Sequence, residues 1–181
     1  MPTKQEIDNI KCLLADAFTQ LKLNDNDLIK LPNDEVRDIN ETDKILERAL
    51  HEICINHRLA FYIETLIVKH LKTNEYKVDI EYNRLYNKSK VVYMLNKEEK
   101  VRPDIIIHKR TIELGIQHLM IIEVKKDCFD DYDITKVQAF MNDSRYQYVF
   151  GVVVNYNEFN PIKARLYYKQ NNDIEKENLD F

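Results

Sequence analysis

The chain has 181 residues, 27 basic and 31 acidic side chains, and a formal net charge of −4. Apolar residues make up 44% of it, enough for one sizeable core and too many for a disordered segment. A sequence pI near 5.8 counts, as a whole-chain figure, against a phosphate-rich partner.

Composition removes several function classes. With Gly115 and Gly151 the only glycines, neither a P-loop nor a GxGxxG turn can be built. No GxSxG elbow is present. Cys12, Cys54 and Cys128 are odd in number and far apart, so neither a disulfide framework nor a zinc knuckle is indicated. The polar start MPTKQEID lacks the apolar run of a secretion signal, and no stretch of about 18 apolar residues could span a bilayer. A reducing cytoplasm is the expected compartment.

Residues 4–22 read as a helix, with Ile7, Ile10, Leu13, Leu14, Phe18 and Leu21 on one side. Residues 23–43 are polar and acidic and read as a connector, in which Thr42 or Asp43 could cap the next helix. That helix runs from about 43 to 72. Strand-like alternation follows in KVDIEYNRLY (77–86) and VVYML (91–95), joined by the polar turn NKSK. VRPDIIIHKR (101–110) and HLMIIEVKK (118–126) hold unbroken apolar runs, the mark of central strands buried on both faces. Residues 131–144 read as a helix, 146–156 as a fifth strand and 164–170 as an edge strand. The tail after Asn171 reads as polar and frayed. The expected fold class is α/β: a mixed central sheet flanked by helices, with an N-terminal helical extension. The expected divisions are 1–43 (helix and connector), 44–170 (main domain) and 171–181 (tail).

Two of the central strands carry charge where burial should forbid it. Asp104 precedes Ile105-Ile106-Ile107, while Glu123 and Lys125 follow Leu119-Met120-Ile121-Ile122. Ionised groups in a central strand are costly unless they are paired or bind a metal. Strand alternation puts Glu123 and Lys125 on one face, about 7 Å apart. If the two strands are neighbours, Asp104 lies beside Glu123. Two carboxylates and a peptide carbonyl make a hard-oxygen site suited to Mg²⁺ or Mn²⁺. The competing reading is a buried structural ion pair.

The string Pro103-Asp104, eighteen residues, then Glu123-Val124-Lys125 resembles the PD-(D/E)xK nuclease superfamily, whose fold is restriction-endonuclease-like. Neighbouring residues resemble a bacterial group within it. There a helix reads roughly HExxxxHRLAxYLE, here HEICINHRLAFYIE (51–64). An EYNR-like string follows at 81–84, then PDIIIHKR (103–110), IEVKK (122–126), and a D-x-x-K at Asp133 and Lys136 that opens the next helix. The resemblance covers about residues 48–156.

It implies a metal-dependent hydrolase acting on DNA phosphodiester bonds, in which water attacks in line and the 3′ oxygen leaves. Asp104, Glu123 and the Val124 carbonyl would hold Mg²⁺ or Mn²⁺, and Lys125 would orient the attacking water. An acidic residue from the preceding helix completes the shell; carried over, it is Glu52. Arg84, His108, Arg110, Lys126 and Lys136 are the candidate nucleic-acid contacts. Relatives often form homodimers, and the N-terminal extension is a candidate docking element for a protein partner. The alternative is a non-catalytic nucleic-acid- or protein-binding subunit that keeps the fold.

Helical periodicity does not choose between Glu52 and Glu64. Both lie about 60° from the centre of a stripe made by Ile45, Ala49, Ile53, Ala60, Ile63 and Ile67. HEICINH is not a zinc motif, because HExxH would need its second histidine where Ile55 stands. Tyr167 and Tyr168 suit strand packing better than base stacking. Charge is uneven along the chain. Residues 84–136 carry 11 basic and 9 acidic groups, and residues 1–83 carry 11 and 16, so the candidate site lies in the net-basic segment.

Overall fold

The apolar runs at 105–107, 119–122 and 148–154 offer no polar face to water, and the computed structural model sets them side by side in one sheet. It describes residues 1–25, 28, 41–85, 88–110, 116–126, 128–156, 162–171 and 173–181. In chain order the elements are α1 (Lys4–Asn24), α2 (Glu41–Leu71), β1 (Lys77–Ile80), β2 (Arg84–Leu85), β3 (Lys88–Ser89), β4 (Val91–Met94), β5 (Lys97–Lys100), β6 (Ile105–His108), β7 (His118–Lys125), α3 (Asp131–Asn142), β8 (Tyr148–Asn155), β9 (Lys163–Gln170) and β10 (Asp173–Asp180).

The protein is α/β, with a mixed six-stranded sheet ordered β1-β6-β7-β8-β9-β10. Only β7 and β8 run parallel, joined across one face by α3. Ile105, Ile106 and Ile107 are fully buried because each face of the sheet is covered. Such burial contributes roughly 1.5–3 kcal/mol per side chain. On one face Ile105, Ile107, Ile122 and Val124 join the buried sides of α1 and α2. On the other, Ile106, Ile121 and Val153 meet α3 and the β4–β5 hairpin through Val137, Phe140 and Val92. α1 thus shares a core with the sheet. Among the described residues no helix is long and apolar enough to cross a membrane.

Three local expectations are corrected. β1 pairs with β6, not with the 91–95 strand. Glu81 takes a left-handed backbone (φ 49°) that ends β1, and its N–H donates to the Asp104 carbonyl at 2.8 Å. The polar tail is not frayed: residues 173–180 form β10 outside β9, so β9 is not the edge. Leu179 and Phe181 anchor it, with the Phe181 ring 4.8 Å from Phe18 and its N–H donating to the Ile162 carbonyl at 2.9 Å. With Ile174 packed against the α3-side core, these apolar anchors hold a strand whose other positions are polar or charged. Finally, α2 starts at Glu41, so Thr42 and Asp43 lie inside it rather than capping it. Most of the 23–43 connector lies outside the described residues.

Candidate metal and phosphate site

β6 and β7 pair antiparallel, with Ile105 opposite Ile122. One step further along this register puts Asp104 opposite Glu123. Both lie on the face covered by α3, as strand alternation from Ile106 and Ile121 requires. β6 stops at Ile105, and the Asp104 carboxylate takes over the next backbone partner. Its Oδ2 accepts the Val124 N–H at 2.9 Å. A strand residue sends its N–H and C=O to the same side, so the Val124 carbonyl faces this gap as well.

Glu123 is 1% exposed in the middle of the sheet. Its Oε2 accepts from Lys136 Nζ at 2.7 Å. Its Oε1 is buried and finds no hydrogen-bond partner among the described residues. Burial, reinforced by the Asp104 charge, pushes its carboxyl up to about 8. Lys125, half-buried, lies 3.3 Å from Asp133 Oδ1. Burial alone would lower its pKa, but the carboxylates of Asp133, Asp104 and Glu123 hold it above the usual lysine value. Lys125 therefore stays an ammonium at neutral pH, suited to holding charge and unsuited to taking a proton.

Asp133 and Lys136 come from the first turns of α3. Asp133 closes a capping box with Asp130: its N–H donates to Asp130 Oδ1 at 3.0 Å and its Oδ2 accepts the Asp130 N–H at 3.1 Å. The cap leaves Asp133 Oδ1 free to meet Lys125. Three residues on, Lys136 sits on the same helical side and reaches Glu123, while its Nζ also donates to the Arg102 carbonyl at 2.8 Å. The E-x-K of β7 and the D-x-x-K of α3 are thus crossed, each carboxylate paired with the other element's lysine.

Glu52 arrives from the helix on the opposite face. It is half-buried, whereas Glu64 is exposed. Burial raises its pKa, and the carboxylates of Asp104 and Asp133 add to the rise. The stripe drawn from the sequence was misplaced: Ile53 is 47% exposed, while Ile55, Leu59, Ala60, Tyr62, Ile63 and Ile67 are buried. Side chains of Ile45 and Ala49 lie outside the described residues. Around the observed stripe Glu52 lies within about 20° of the centre and Glu64 roughly 120° away. Glu52, not Glu64, faces the group.

The other candidate contacts divide. Arg84 is exposed and Lys126 half-buried, and neither has an ion-pair partner among the described residues. His108 and Arg110 are not near Glu123 in the register; they lie toward the opposite end of β7. His108 is 6% exposed, with Nε2 2.7 Å from Asp79 Oδ2, and Arg110 Nε donates to the same oxygen at 3.0 Å. Both are engaged by Asp79, His108 as a buried ring and Arg110 with its side chain still largely exposed. Lys136 is no solvated lysine; it is half-buried and paired with Glu123. Asp133 was missed as a site residue, though an acid and a lysine three apart on one helical face was a legible signal.

Among the described residues, no three His, Cys, Asp or Glu side chains stand close enough to form a ready-made metal cage. The lysines keep the carboxylates apart. Yet four carboxylates (Glu52, Asp104, Glu123, Asp133) influence one another here against two ammoniums (Lys125, Lys136). When all are ionised, two negative charges are left over in a half-buried space. That excess, the orphaned Glu123 Oε1 and an all-oxygen donor set fit a hard divalent cation. Comparison with protein-family models, curated proteins and solved structures returns no match.

Proposed function

We propose that the chain is a metal-dependent nuclease of the PD-(D/E)xK type, with a restriction-endonuclease-like fold, hydrolysing DNA phosphodiester bonds. One observation carries this reading: Asp104 and Glu123 face each other on adjacent central strands, with Lys125 beside them and an uncompensated excess of acid around them. Structural ion pairs cancel their charge; this group does not.

Asp104, Glu123 and Glu52, with the Val124 carbonyl, would hold Mg²⁺ or Mn²⁺. Such an ion, when bound, polarises a phosphate oxygen and makes a coordinated water more acidic. The rest is done by the chain. Lys125, kept as an ammonium, orients the water and offsets negative charge developing on the phosphorus oxygens. Asp133 fixes the Lys125 side chain through its own rigid place in the helix cap. Arg84 and Lys126, which have no ion-pair partner among the described residues, are available to the backbone phosphates on either side, whereas Lys136 is held by Glu123.

The test is a cleavage panel of linear, nicked, branched and single-stranded DNA, with RNA, in Mg²⁺ and Mn²⁺. Lys125→Ala and Asp104→Ala should each lower cleavage by roughly 10²–10³ with the fold intact. Equal cleavage by wild type and both variants would end the assignment. A second reading, a non-catalytic nucleic-acid- or protein-binding subunit on the same fold, is favoured by the two crossed ion pairs, which already occupy the central carboxylate and lysine. Substrate binding with no cleavage in either metal would select it.

A further inference from the structure

The site holds two lysines where the E-x-K motif accounts for one. Lys136 is the less exposed of them, with a side-chain exposure of 12% against 35% for Lys125, and its partner Glu123 is 1% exposed. Its ammonium meets Glu123 Oε2 at 2.7 Å and the Arg102 carbonyl at 2.8 Å. Both acceptors flank the Asp104 carboxylate, one across the ladder and one two residues before it. Lys136 therefore sits where a cation belongs, among oxygen ligands.

We infer that Lys136 is an internal counter-cation: its ammonium stands in for the divalent ion beside Glu123, and ion binding displaces it toward the substrate phosphate. The inference rests on the nuclease reading of the site. Four features support it. First, the pair is local to the two elements that build the site, so among the described residues moving Lys136 breaks no other hydrogen bond or ion pair except that to the Arg102 carbonyl. Second, Glu123 Oε1 already lacks a partner, so the carboxylate is only half satisfied by the ammonium and has a coordination position to give. Third, an ammonium is a compact charge on a four-carbon stem, and it can swing by a few ångströms without moving the helix. Fourth, a divalent ion on Oε1 and an ammonium on Oε2 of one carboxylate sit within a few ångströms and repel each other, so an ion that takes the open oxygen drives the ammonium off the other. The Lys125–Asp133 pair cannot play this part, because Asp133 is fixed by the helix cap and Lys125 stands outside the Glu123–Arg102 pair of oxygens.

The consequence is a site that stays folded and closed without metal and presents a free ammonium to a phosphodiester only when loaded. By linkage, whatever removes the ammonium must tighten the ion.

The experiment is calorimetric titration of Mn²⁺ and Mg²⁺, without DNA, into wild type, Lys136→Met and Lys136→Arg. Lys136→Met should bind at least about tenfold tighter than wild type, and Lys136→Arg within about threefold of it. A Lys136→Met protein that binds with wild-type or weaker affinity overturns the inference and leaves the site reading standing. Absence of binding by all three overturns the site reading and the inference together. Should Lys136→Met fail to fold, the wild type still decides through nitrogen-15 lysine spectra. The Lys136 ammonium should be protected from exchange without the ion and lose that protection with the calorimetric midpoint. A protected signal persisting at saturating Mn²⁺ or Mg²⁺ overturns the inference.

Discussion

The two ends of β7 bury ionisable groups in different ways. At its start, the His118 ring packs edge-on against His108 (5.6 Å between ring centroids) and at a tilt against Tyr148 (5.4 Å), and the buried Lys90 lies 4.7 Å from the Tyr82 ring centre. At its finish, Glu123 and Lys125 face Asp104, Asp133 and Lys136 in two crossed ion pairs. At the basic end burial disfavours charge: it pulls His118 down to about 4 and Lys90 to about 8, and lowers His108. Aromatic faces replace water there, and Asp79 absorbs Arg110. The acidic end has more carboxyls than ammoniums to pair with them, and the strain concentrates on Glu123, whose carboxyl is pushed up to about 8. Buried charge alone therefore does not mark a site on this protein. Charge that neighbours leave uncancelled, around an oxygen with no partner, does.

The strongest way to break that contrast is Glu123→Gln. In the unfolded chain this carboxyl titrates near 4.5, and in the fold near 8. Between those values the folded protein holds a proton that the unfolded chain has lost. Its contribution to stability is complete below pH 4.5 and is lost as pH rises through 8. In chelator, Glu123→Gln should be more stable than wild type at pH 9 by on the order of 2–4 kcal/mol, with the difference shrinking toward pH 5. Urea unfolding at both values measures it. Divalent ion should restore wild type at pH 9 and leave the variant unchanged. A difference that does not depend on pH would show that Glu123 is not the strained group.

A smaller effect should follow from separating α3 from the sheet. Gly151 on β8 lies under this helix. A Cβ there would meet Val137 Cγ1 at 2.3 Å and Met141 Sδ at 2.6 Å. Gly151→Ala overpacks the contact and should cost about 1–3 kcal/mol. The helix that must retreat carries Asp133 and Lys136, so cleavage and ion affinity should fall along with the melting temperature. A variant that loses stability but keeps wild-type ion affinity would uncouple α3 from the acidic end.

What the sequence revealed depended on which period was being read. The two-residue period of strands is exact enough that Glu123 and Lys125 could be placed on one face, and Asp104 beside them, from Ile105-Ile106-Ile107 and Leu119-Met120-Ile121-Ile122 alone. The helical period was less forgiving. Including Ile53 and leaving out Ile55, Leu59 and Tyr62 turned the stripe by about 60°, which left Glu52 and Glu64 equivalent. An exposed isoleucine is common on protein surfaces, so no single apolar residue fixes a helix face. Pairings distant in sequence could not be read at all. Nothing in DIEKENLD announces a strand until Phe181 is known to reach Phe18. Asp79 was equally silent until β1 was found beside β6, where it captures His108 and Arg110.

At the basic end, Lys90→Met should raise stability. Lys90 is 3% exposed, donates to the Tyr82 carbonyl at 3.1 Å, and burial lowers its pKa from 10.5 to about 8. The fold favours the neutral amine, so this contribution is complete above pH 10.5 and lost as pH falls through 8. At pH 7 the charged form is held at a cost, and methionine should recover about 1–3 kcal/mol, with the gain vanishing near pH 10.5. Ion binding at the far end should not change. Lower stability at pH 7 would mean that the ring of Tyr82 more than compensates the buried charge.

The smallest expected effect is the most specific to the packed rings. His118 titrates near 6.5 unfolded and about 4 in the fold, where burial comes first and the charges of His108 and Lys90 oppose a further proton. Its Nδ1 is buried and finds no partner among the described residues, so protonation there gains no hydrogen bond. Stability from this group is complete above pH 6.5 and lost as pH falls through 4. His118→Phe keeps a ring against Tyr148 and His108 but cannot take a proton. Between pH 6.5 and 4.5 the wild type should therefore lose a few degrees of melting temperature, about 2–4 °C for each kcal/mol, more than the variant does. Glu123 works in the opposite direction over part of that range, since its proton is retained in the fold as the unfolded chain gains one. The comparison must therefore be made as variant against wild type at each pH, where the Glu123 contribution cancels and only the imidazole remains. Parallel curves would place the acid-sensitive group elsewhere, with His108 and its Asp79 partner the next to replace.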